Sequence, residues 1–229
     1  MYDYRGRDGT GTESNKVKPG DTGAQSYVVR KLADGNCWMA ENLQLNLSAT
    51  HSYKVGTFAG GEADWTPNQT SNGASFNYAI TPFYGENIAI TDYRGIPHNN
   101  WYYTWYGATA GQGTQTSNPS ITQSICPKGW RLPKPFNNDK SFGNLVNMKY
   151  SLTTGLAINN DPLNIYPAGN ISNNSGVTSS EYGSYWLDSS FEANYAYHVS
   201  YGKSSFNVDD MYARYGIKYN GLSVRCVSL

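Results

Sequence analysis

The residues that could perform covalent or metal chemistry are few and widely spaced. The chain has three cysteines and three histidines, and no two cysteines form a CxxC pair. A tetrahedral zinc site needs four such ligands, usually at short spacings. We therefore expect no metal and no cofactor. The residues concerned are Cys37, Cys126, Cys226, His51, His98 and His198.

Catalytic arrangements are equally weak in this sequence. His98 or His198 could in principle join a Ser/Asp triad, but Ser and Asp are so abundant that chance matches are certain. Gly111-Gln112-Gly113 lacks the second half of a dinucleotide-binding fingerprint and the helix that should follow it. We predict that the protein is not an enzyme.

A calcium site is the remaining metal hypothesis. Asn207, Asp209 and Asp210 carry the hard oxygen ligands that calcium prefers. A solvated turn explains these residues better, because the EPN- or QPD-like tripeptide of a calcium-dependent lectin is absent. Trp186-Leu187-Asp188 has only weak similarity to the WND-like segment of such lectins.

The cysteines predict one disulfide and one odd thiol. Cys126 and Cys226 lie beside strong structural signals, in ICPKGW and SVRCV, and we predict that these two pair. Closing a loop of about 100 residues would contribute roughly 4–5 kcal/mol in the chain-entropy treatment. Such a bridge indicates an oxidising compartment.

Composition favours a single polar, extracellular domain. Of 229 residues, 38% are hydrophobic and only 15% are charged, while 20 are tyrosines and 24 are glycines. The 17 basic and 17 acidic residues balance, so there is no bulk attraction to nucleic acid or to an anionic membrane. No apolar run approaches the roughly 18 residues that span a bilayer.

The opening residues predict a leader. Residues 1–25 are rich in Gly, Asp, Ser and Lys, which favours a flexible segment. They lack the hydrophobic stretch of a signal peptide, so we expect the sequence to begin after a removed signal or anchor. A single domain would occupy residues 26–229. It would open with a hairpin whose strands contain Tyr27–Val29 and Cys37–Met39.

The middle of the chain predicts loops around an aromatic core. Gly, Pro and Asn residues interrupt residues 46–100, which we interpret as a loop-rich insertion. The aromatic run 101–106 is predicted to be buried, because so much aromatic area dominates any core that it joins. A short helix is predicted after an N-cap at Asn138 or Asp139, with Phe142, Leu145 and Val146 on one face.

The C-terminal fifth reads as an antiparallel meander that is dense in tyrosine. Tyr197, Val199 and Tyr201 share one strand face with Tyr195, and we predict that Tyr197, Val199 and Tyr201 belong to the core. The alternate residues, including His198 and Ser200, would then point outward. A slip of one residue would invert this assignment. Leu222, Val224 and Cys226 are predicted to point inward from a final strand.

Four ordered segments resemble one known family. They are WMAENL at 38–43, YTW at 103–105, ICPKGWRLP at 125–133 and GLSVRCV at 221–227. Together they resemble the FISUMP family, the fibrobacter major paralogous domain, over residues 26–229. The resemblance implies an α+β, C-type-lectin-like fold of the formylglycine-generating-enzyme-like branch. Two helices would pack on a small twisted antiparallel sheet, with the Cys126 and Cys226 regions adjacent. Cys37 departs from the pattern and leaves the disulfide assignment open.

The same resemblance implies a possible diversified surface. Some proteins of this fold are variable proteins of diversity-generating retroelements, in which reverse-transcription errors at template adenines change AAY-type codons into codons for Tyr, Asn, Ser, Asp, His and similar residues near the C-terminus. Residues 185–220 are rich in these types and precede GLSVRCV. The alternative is an ordinary FISUMP C-terminus, which is polar and aromatic in any case.

We predict that residues 185–220 bind a ligand noncovalently. Tyr supplies rigid amphipathic area, while Ser, Asn and Gly adapt their hydrogen bonds, as in antibody paratopes. The expected partner is a macromolecule, a protein in preference to a glycan. The expected location is the cell surface or the extracellular space. The predicted contact residues are Asn194, His198, Ser200, Lys203, Asn207, Asp209, Asp210, Tyr212, Arg214, Tyr215 and Tyr219.

Three alternatives remain open at this point. The chain could be a metal-independent lectin that stacks sugars on Trp and Tyr, or a structural surface protein without a defined pocket. An enzyme resembling the formylglycine generator would need closely placed reactive cysteines. Lys134-Pro135-Phe136 also stands where that group has an acidic helix start.

Overall fold

The computed structural model is built mainly of short antiparallel β-sheets. It describes residues 1–7, 9–12, 14–32, 35–47, 51–67, 86–91, 97–112, 121–135, 169–172, 176–178, 182–202 and 214–229. The strands in these ranges are β1 (Tyr2–Asp3), β2 (Gln25–Ser26), β3 (Val29–Lys31), β4 (Cys37–Met39), β5 (Tyr53–Thr57), β6 (Glu62–Trp65), β7 (Glu86–Thr91), β8 (Pro97–Tyr102), β9 (Gln123–Ser124), β10 (Trp130–Arg131), β11 (Asn170–Ser172), β12 (Gly176–Thr178), β13 (Tyr182–Glu192), β14 (Tyr195–Gly202), β15 (Arg214–Ile217) and β16 (Val227–Ser228).

Two sheets organise the ends of the chain. One has the strand order β10-β16-β4-β3, so the C-terminal strand lies beside the first hairpin. The other has the order β13-β14-β15 and carries the tyrosine-dense region. The β3–β4 pairing, with Lys31 opposite Cys37, confirms the predicted hairpin.

Helix is scarce in the part of the chain that the structure describes. The one helix there is α1 (Trp105–Ala108), a single turn capped by Thr104, whose hydroxyl accepts a hydrogen bond from the Gly107 N–H at 3.2 Å. The predicted pair of helices on a sheet is therefore not what these residues form. The helix predicted around Phe142, Leu145 and Val146 lies outside the described residues.

The aromatic run is buried as predicted. Tyr103, Trp105 and Tyr106 have no measurable exposure. Their polar atoms largely find backbone partners: the Trp105 indole N–H donates to the Leu187 carbonyl at 2.9 Å, and the Tyr103 hydroxyl donates to the Leu45 carbonyl at 3.0 Å. These bonds let aromatic groups with a polar atom fill a core without the cost of an unpaired polar group.

The predicted loop-rich insertion is only partly correct. Within residues 46–100, strands β5 and β6 form a hairpin in which Tyr53 lies opposite Trp65, and β7 pairs with β8. Tyr53 and Val55 alternate inward with half-buried Lys54, a strand pattern that the surrounding Gly and Pro residues obscured. Residues 68–85, with Phe76, Tyr78, Phe83 and Tyr84, lie outside the described ranges.

The predicted flexible leader is wrong for the residues described there. The Arg5 side chain is 1% exposed and pairs with Asp3 at 2.7 Å. It also donates to the Lys54 and Ile125 carbonyls at 2.8 and 3.0 Å. Polar composition predicted a solvated tail, whereas one buried ion pair with matched hydrogen bonds fastens the segment to the domain.

The disulfide prediction is confirmed. Cys126 and Cys226 are bonded, with Cα atoms 5.9 Å apart, and both are fully buried. Cys37 is a free thiol at intermediate exposure. Leu222, Val224 and Cys226 point inward as predicted, although the regular strand in this segment is only Val227–Ser228.

Candidate ligand-binding surface

The sheet β13-β14-β15 has one face in the core. Trp186 lies opposite His198 on neighbouring strands, and their rings make an edge contact at 6.0 Å between centroids. Ala196 is fully buried and pairs with Gly216. A Cβ atom at Gly216 would lie 3.0 Å from His198 Nδ1, so glycine allows the close approach of β15 to this face. This inner face fastens the sheet to α1 and the aromatic core.

The opposite, outer face carries a cluster of aromatic rings. Phe191 and Tyr215 stack with centroids 4.4 Å apart and planes at 11°. Tyr197 meets Phe191 edge-on at 5.5 Å, and Tyr195 meets Tyr215 edge-on at 5.7 Å. Tyr215 is 57% exposed, while the other three are partly exposed. We call these four residues the aromatic cluster.

The predicted assignment of strand faces was right for Val199, which is 3% exposed, and wrong for Tyr197 and His198. Tyr197, predicted as core, belongs with Tyr195 to the outer aromatic cluster, whereas His198, predicted as outward, contacts buried Trp186. A period of two separates two faces but does not say which one is covered. Small Ala196 and Gly216 let the sheet approach the core closely, and bulky tyrosines could not.

The remaining described contact predictions fall into different environments. Asn194 is half-buried in the β13–β14 turn, and the half-buried Ser200 hydroxyl lies 3.3 Å from that of buried Ser184. Tyr219, predicted as a surface contact, is instead 6% exposed and packs on Tyr106 with ring centroids 5.5 Å apart. It follows β15 into a turn above the core, which strand alternation did not predict.

Several predicted residues lie at the edge of the described ranges or outside them. Arg214 begins β15 and pairs with His198 in the backbone register. The remaining predicted contacts are Lys203, Asn207, Asp209, Asp210 and Tyr212, all outside the described residues. The described part of the predicted site therefore reduces to Tyr215 and its neighbours.

Sequence reasoning missed Phe191, Tyr195 and Tyr197 as surface residues. The usable signal was the small residues on the opposite face of the sheet. Ala196 and Gly216 are paired, and they alternate along their strands with Tyr195, Tyr197 and Tyr215. Small residues suit the side of a sheet that packs closely. Tyrosine tolerates the open side, because its hydroxyl remains hydrated.

Two buried ionisable groups flank the sheet. Burial raises the pKa of Asp188 to about 6, against the opposing effects of the Ser189 hydroxyl and the positive charges of Arg131 and Lys134. Burial lowers the pKa of Lys218 to about 8. Both residues are buried, so water solvates the charged form of each poorly.

In the described ranges, no three His, Cys, Asp or Glu side chains converge to hold a metal ion. No helix in those ranges is long and apolar enough to cross a membrane. The arrangement offers a rigid aromatic surface for noncovalent contact.

The fold and site together define a β-rich, disulfide-bridged domain with an exposed aromatic cluster. Comparison with profiles of known protein families, with curated proteins and with solved structures gives no match to this chain.

Proposed function

We propose that the chain is a noncovalent binding module of the C-type-lectin-like fold class, resembling FISUMP domains, and that it is not an enzyme. It would bind a macromolecular ligand, a protein in preference to a glycan, through the aromatic cluster and the rest of residues 185–220. The observation that carries this proposal is the stacked pair Phe191–Tyr215 on the outer face of a sheet whose inner face is core.

Support for the fold assignment comes from the way the four motifs meet. Trp38 pairs with Val227, and Tyr103 forms a bridge with Leu222, so the first, second and fourth motifs share one core. Trp130 of the third motif pairs with Ser228, next to the disulfide. Separate motifs that converge in space are expected if they belong to one family pattern.

The aromatic cluster suits a protein partner for energetic reasons. Binding energy at protein interfaces concentrates in a few aromatic or Arg anchors surrounded by polar residues. Phe191 is held by stacking before any ligand arrives, which reduces the entropy that binding must remove. Glu192, Asn194 and the half-buried Tyr195 hold the polar atoms around it.

A scaffold and a surface on opposite faces would also permit diversification. Substitutions at Tyr195, Tyr197 or Tyr215 would change the outer face without entering the core below Ala196. We therefore propose a retroelement-diversified variable protein. A near-repeat of the coding DNA for residues 185–226 beside a reverse transcriptase gene would support this idea, with substitutions in sister genes concentrated in the outer-face codons. Substitutions spread evenly along the chain would count against it.

The disulfide supports an extracellular or cell-surface location. A bridge between two fully buried cysteines persists in an oxidising compartment. Contact with a protein or glycan ligand outside the cell is consistent with that placement.

Ligand binding can be tested with a phage-displayed random-peptide library and a glycan array. Peptides enriched on the wild-type domain should lose at least about 30-fold in affinity for Tyr215→Ala. Val28→Ala is the matched control, since Val28 is exposed at 41% but lies far along the chain from the sheet. Glycan binding that survives chelator and needs Tyr215 would favour the lectin alternative. Enriched peptides that bind both variants equally would refute a ligand site at the aromatic cluster.

A further inference from the structure

Lys218 is a buried lysine that joins three parts of the molecule. It directly follows β15 and has no measurable exposure. Its ammonium donates to the Ala193 carbonyl at 3.0 Å, and its backbone N–H donates to the Asn194 carbonyl at 2.9 Å. Two donors of one residue thus hold both carbonyls of the β13–β14 turn.

The other side of Lys218 is fastened to the core. Its carbonyl accepts the Trp105 N–H at 2.9 Å, and its ammonium lies 4.8 Å from the centroid of a Trp105 ring. Burial of the ammonium still carries a desolvation cost, which such contacts offset in part. A methionine would fill a similar volume without that desolvation cost, so packing alone does not explain the lysine.

The turn held by Lys218 begins and ends at the aromatic cluster. Phe191 lies two residues before Ala193, and Tyr195 directly follows Asn194. On β15, Ile217 pairs with Tyr195 and Tyr215 pairs with Tyr197. A shift of the turn would move Phe191 relative to Tyr215 and disrupt their stacking.

We propose that Lys218 is a positioning residue that holds the β13–β14 turn from the core side and thereby sets the geometry of the aromatic cluster. An effect of Lys218 on ligand affinity rests on the proposed function, whereas its effect on the geometry of the aromatic rings does not. The buried contact between the Lys218 ammonium and the Ala193 carbonyl would specify one conformation of the turn at some cost in stability.

The test compares Lys218→Met with Lys31→Met, a matched change at an exposed lysine. In Lys218→Met, the Ala193 carbonyl loses its hydrogen bond from the ammonium, which loosens the turn. Amide exchange in the turn and at position 218 should therefore accelerate roughly tenfold. Ring-current shifts of Phe191 and Tyr215 should move toward averaged values. The Trp105 indole N–H, bonded to Leu187, should keep its protection, and Lys31→Met should change none of these signals.

Two results would overturn the proposal. One is unchanged turn exchange and ring shifts in Lys218→Met. The other is an equal loss of protection at the Trp105 indole, which would make Lys218 a general packing residue. A failed ligand screen would leave the expected shifts intact, so this proposal and the proposed function can fail separately.

A titration of the wild-type protein covers the case in which Lys218→Met does not fold. As the Lys218 ammonium loses its proton, between about pH 7 and 9, the Ala193 carbonyl carbon and the Phe191 ring should shift with the same midpoint. Glu192, Tyr106 and Tyr219 are titratable and directly adjoin Ala193, Trp105 and Lys218 in the chain, so their signals are followed as well. A flat Ala193 carbonyl while Lys218 titrates would contradict the proposal.

Discussion

Arg225 Nε donates a hydrogen bond to Asn42 Oδ1 at 2.7 Å, across 183 residues of chain. Asn42 in turn donates to Asn100 at 2.7 Å, and Asn100 donates to the Ser223 hydroxyl at 2.8 Å. The Arg225 guanidinium also lies 5.6 Å from the centroid of the Tyr185 ring. This buried network joins the first and last motifs and reaches the Tyr185 ring on β13.

Removing Asn42 should destabilise the fold strongly. Asn42→Ala removes one hydrogen bond from the buried Arg225 guanidinium and one from the buried Asn100 side chain, and we expect a loss of about 3 kcal/mol. Asn15→Ala, at an exposed asparagine, is the control and should change stability by less than about 0.5 kcal/mol. Urea denaturation measures both, and similar values for the two would show that the network contributes little.

The disulfide should stabilise the fold mainly by lowering the conformational entropy of the unfolded chain. The two cysteines are separated by 100 residues, and the chain-entropy treatment gives a loss of about 4–5 kcal/mol for the Cys126→Ala, Cys226→Ala double variant. Cys37→Ala should have a small effect, because its thiol is free and half-exposed. Thiol titration of the unreduced, denatured wild type should find one thiol; three would contradict the bridge.

Two tyrosines four residues apart test which side of the sheet is covered. Tyr219→Ala removes a ring buried against Tyr106 and should cost about 3–5 kcal/mol, as for other large core truncations. Tyr215→Ala removes a ring that is 57% exposed, and only its stacking should be lost, about 1 kcal/mol. Thermal and urea unfolding would give both values. The reverse order would show that the core covers Tyr215 and not Tyr219.

Asp188 should make stability depend on pH between about 4 and 6. Its folded pKa, about 6, lies above the ordinary value of 3.8, so the folded state binds more protons in this window and loses stability as pH rises. Asp188→Asn should remove this loss and raise stability at pH 7 by up to about 3 kcal/mol, since the Ser189 hydroxyl can still donate to it. Urea midpoints of both proteins at pH 4 and 7 check the sign. An unchanged pH profile would show that Asp188 ionises without cost.

The pH profile should also change at the alkaline end. Buried tyrosines such as Tyr27, with a pKa well above 10, ionise first in the unfolded state, so their contribution to stability is lost as pH rises above about 10. The Asp188→Asn variant should retain this alkaline loss, which separates the two effects within one titration series.

The sequence by itself determined the local and compositional features of this protein. The short runs Tyr27–Val29 and Cys37–Met39 predicted the first hairpin, and the aromatic density of residues 101–106 predicted a buried segment. Cys126 and Cys226 were paired correctly from their sequence contexts. Each of these depends on what one segment contains, so each could be read without knowing what lies beside it.

Only the tertiary structure decided what covers each segment. Tyr195 and His198 alternate identically in either register, and it is the contact with Trp186 that places His198 inside. In the sequence, Arg5 lies in a polar stretch. Only the fold shows that it is buried against Asp3 and two carbonyls that are distant in the chain. Burial is a relation between segments distant in sequence, and a strand period or a local composition carries no information about that relation.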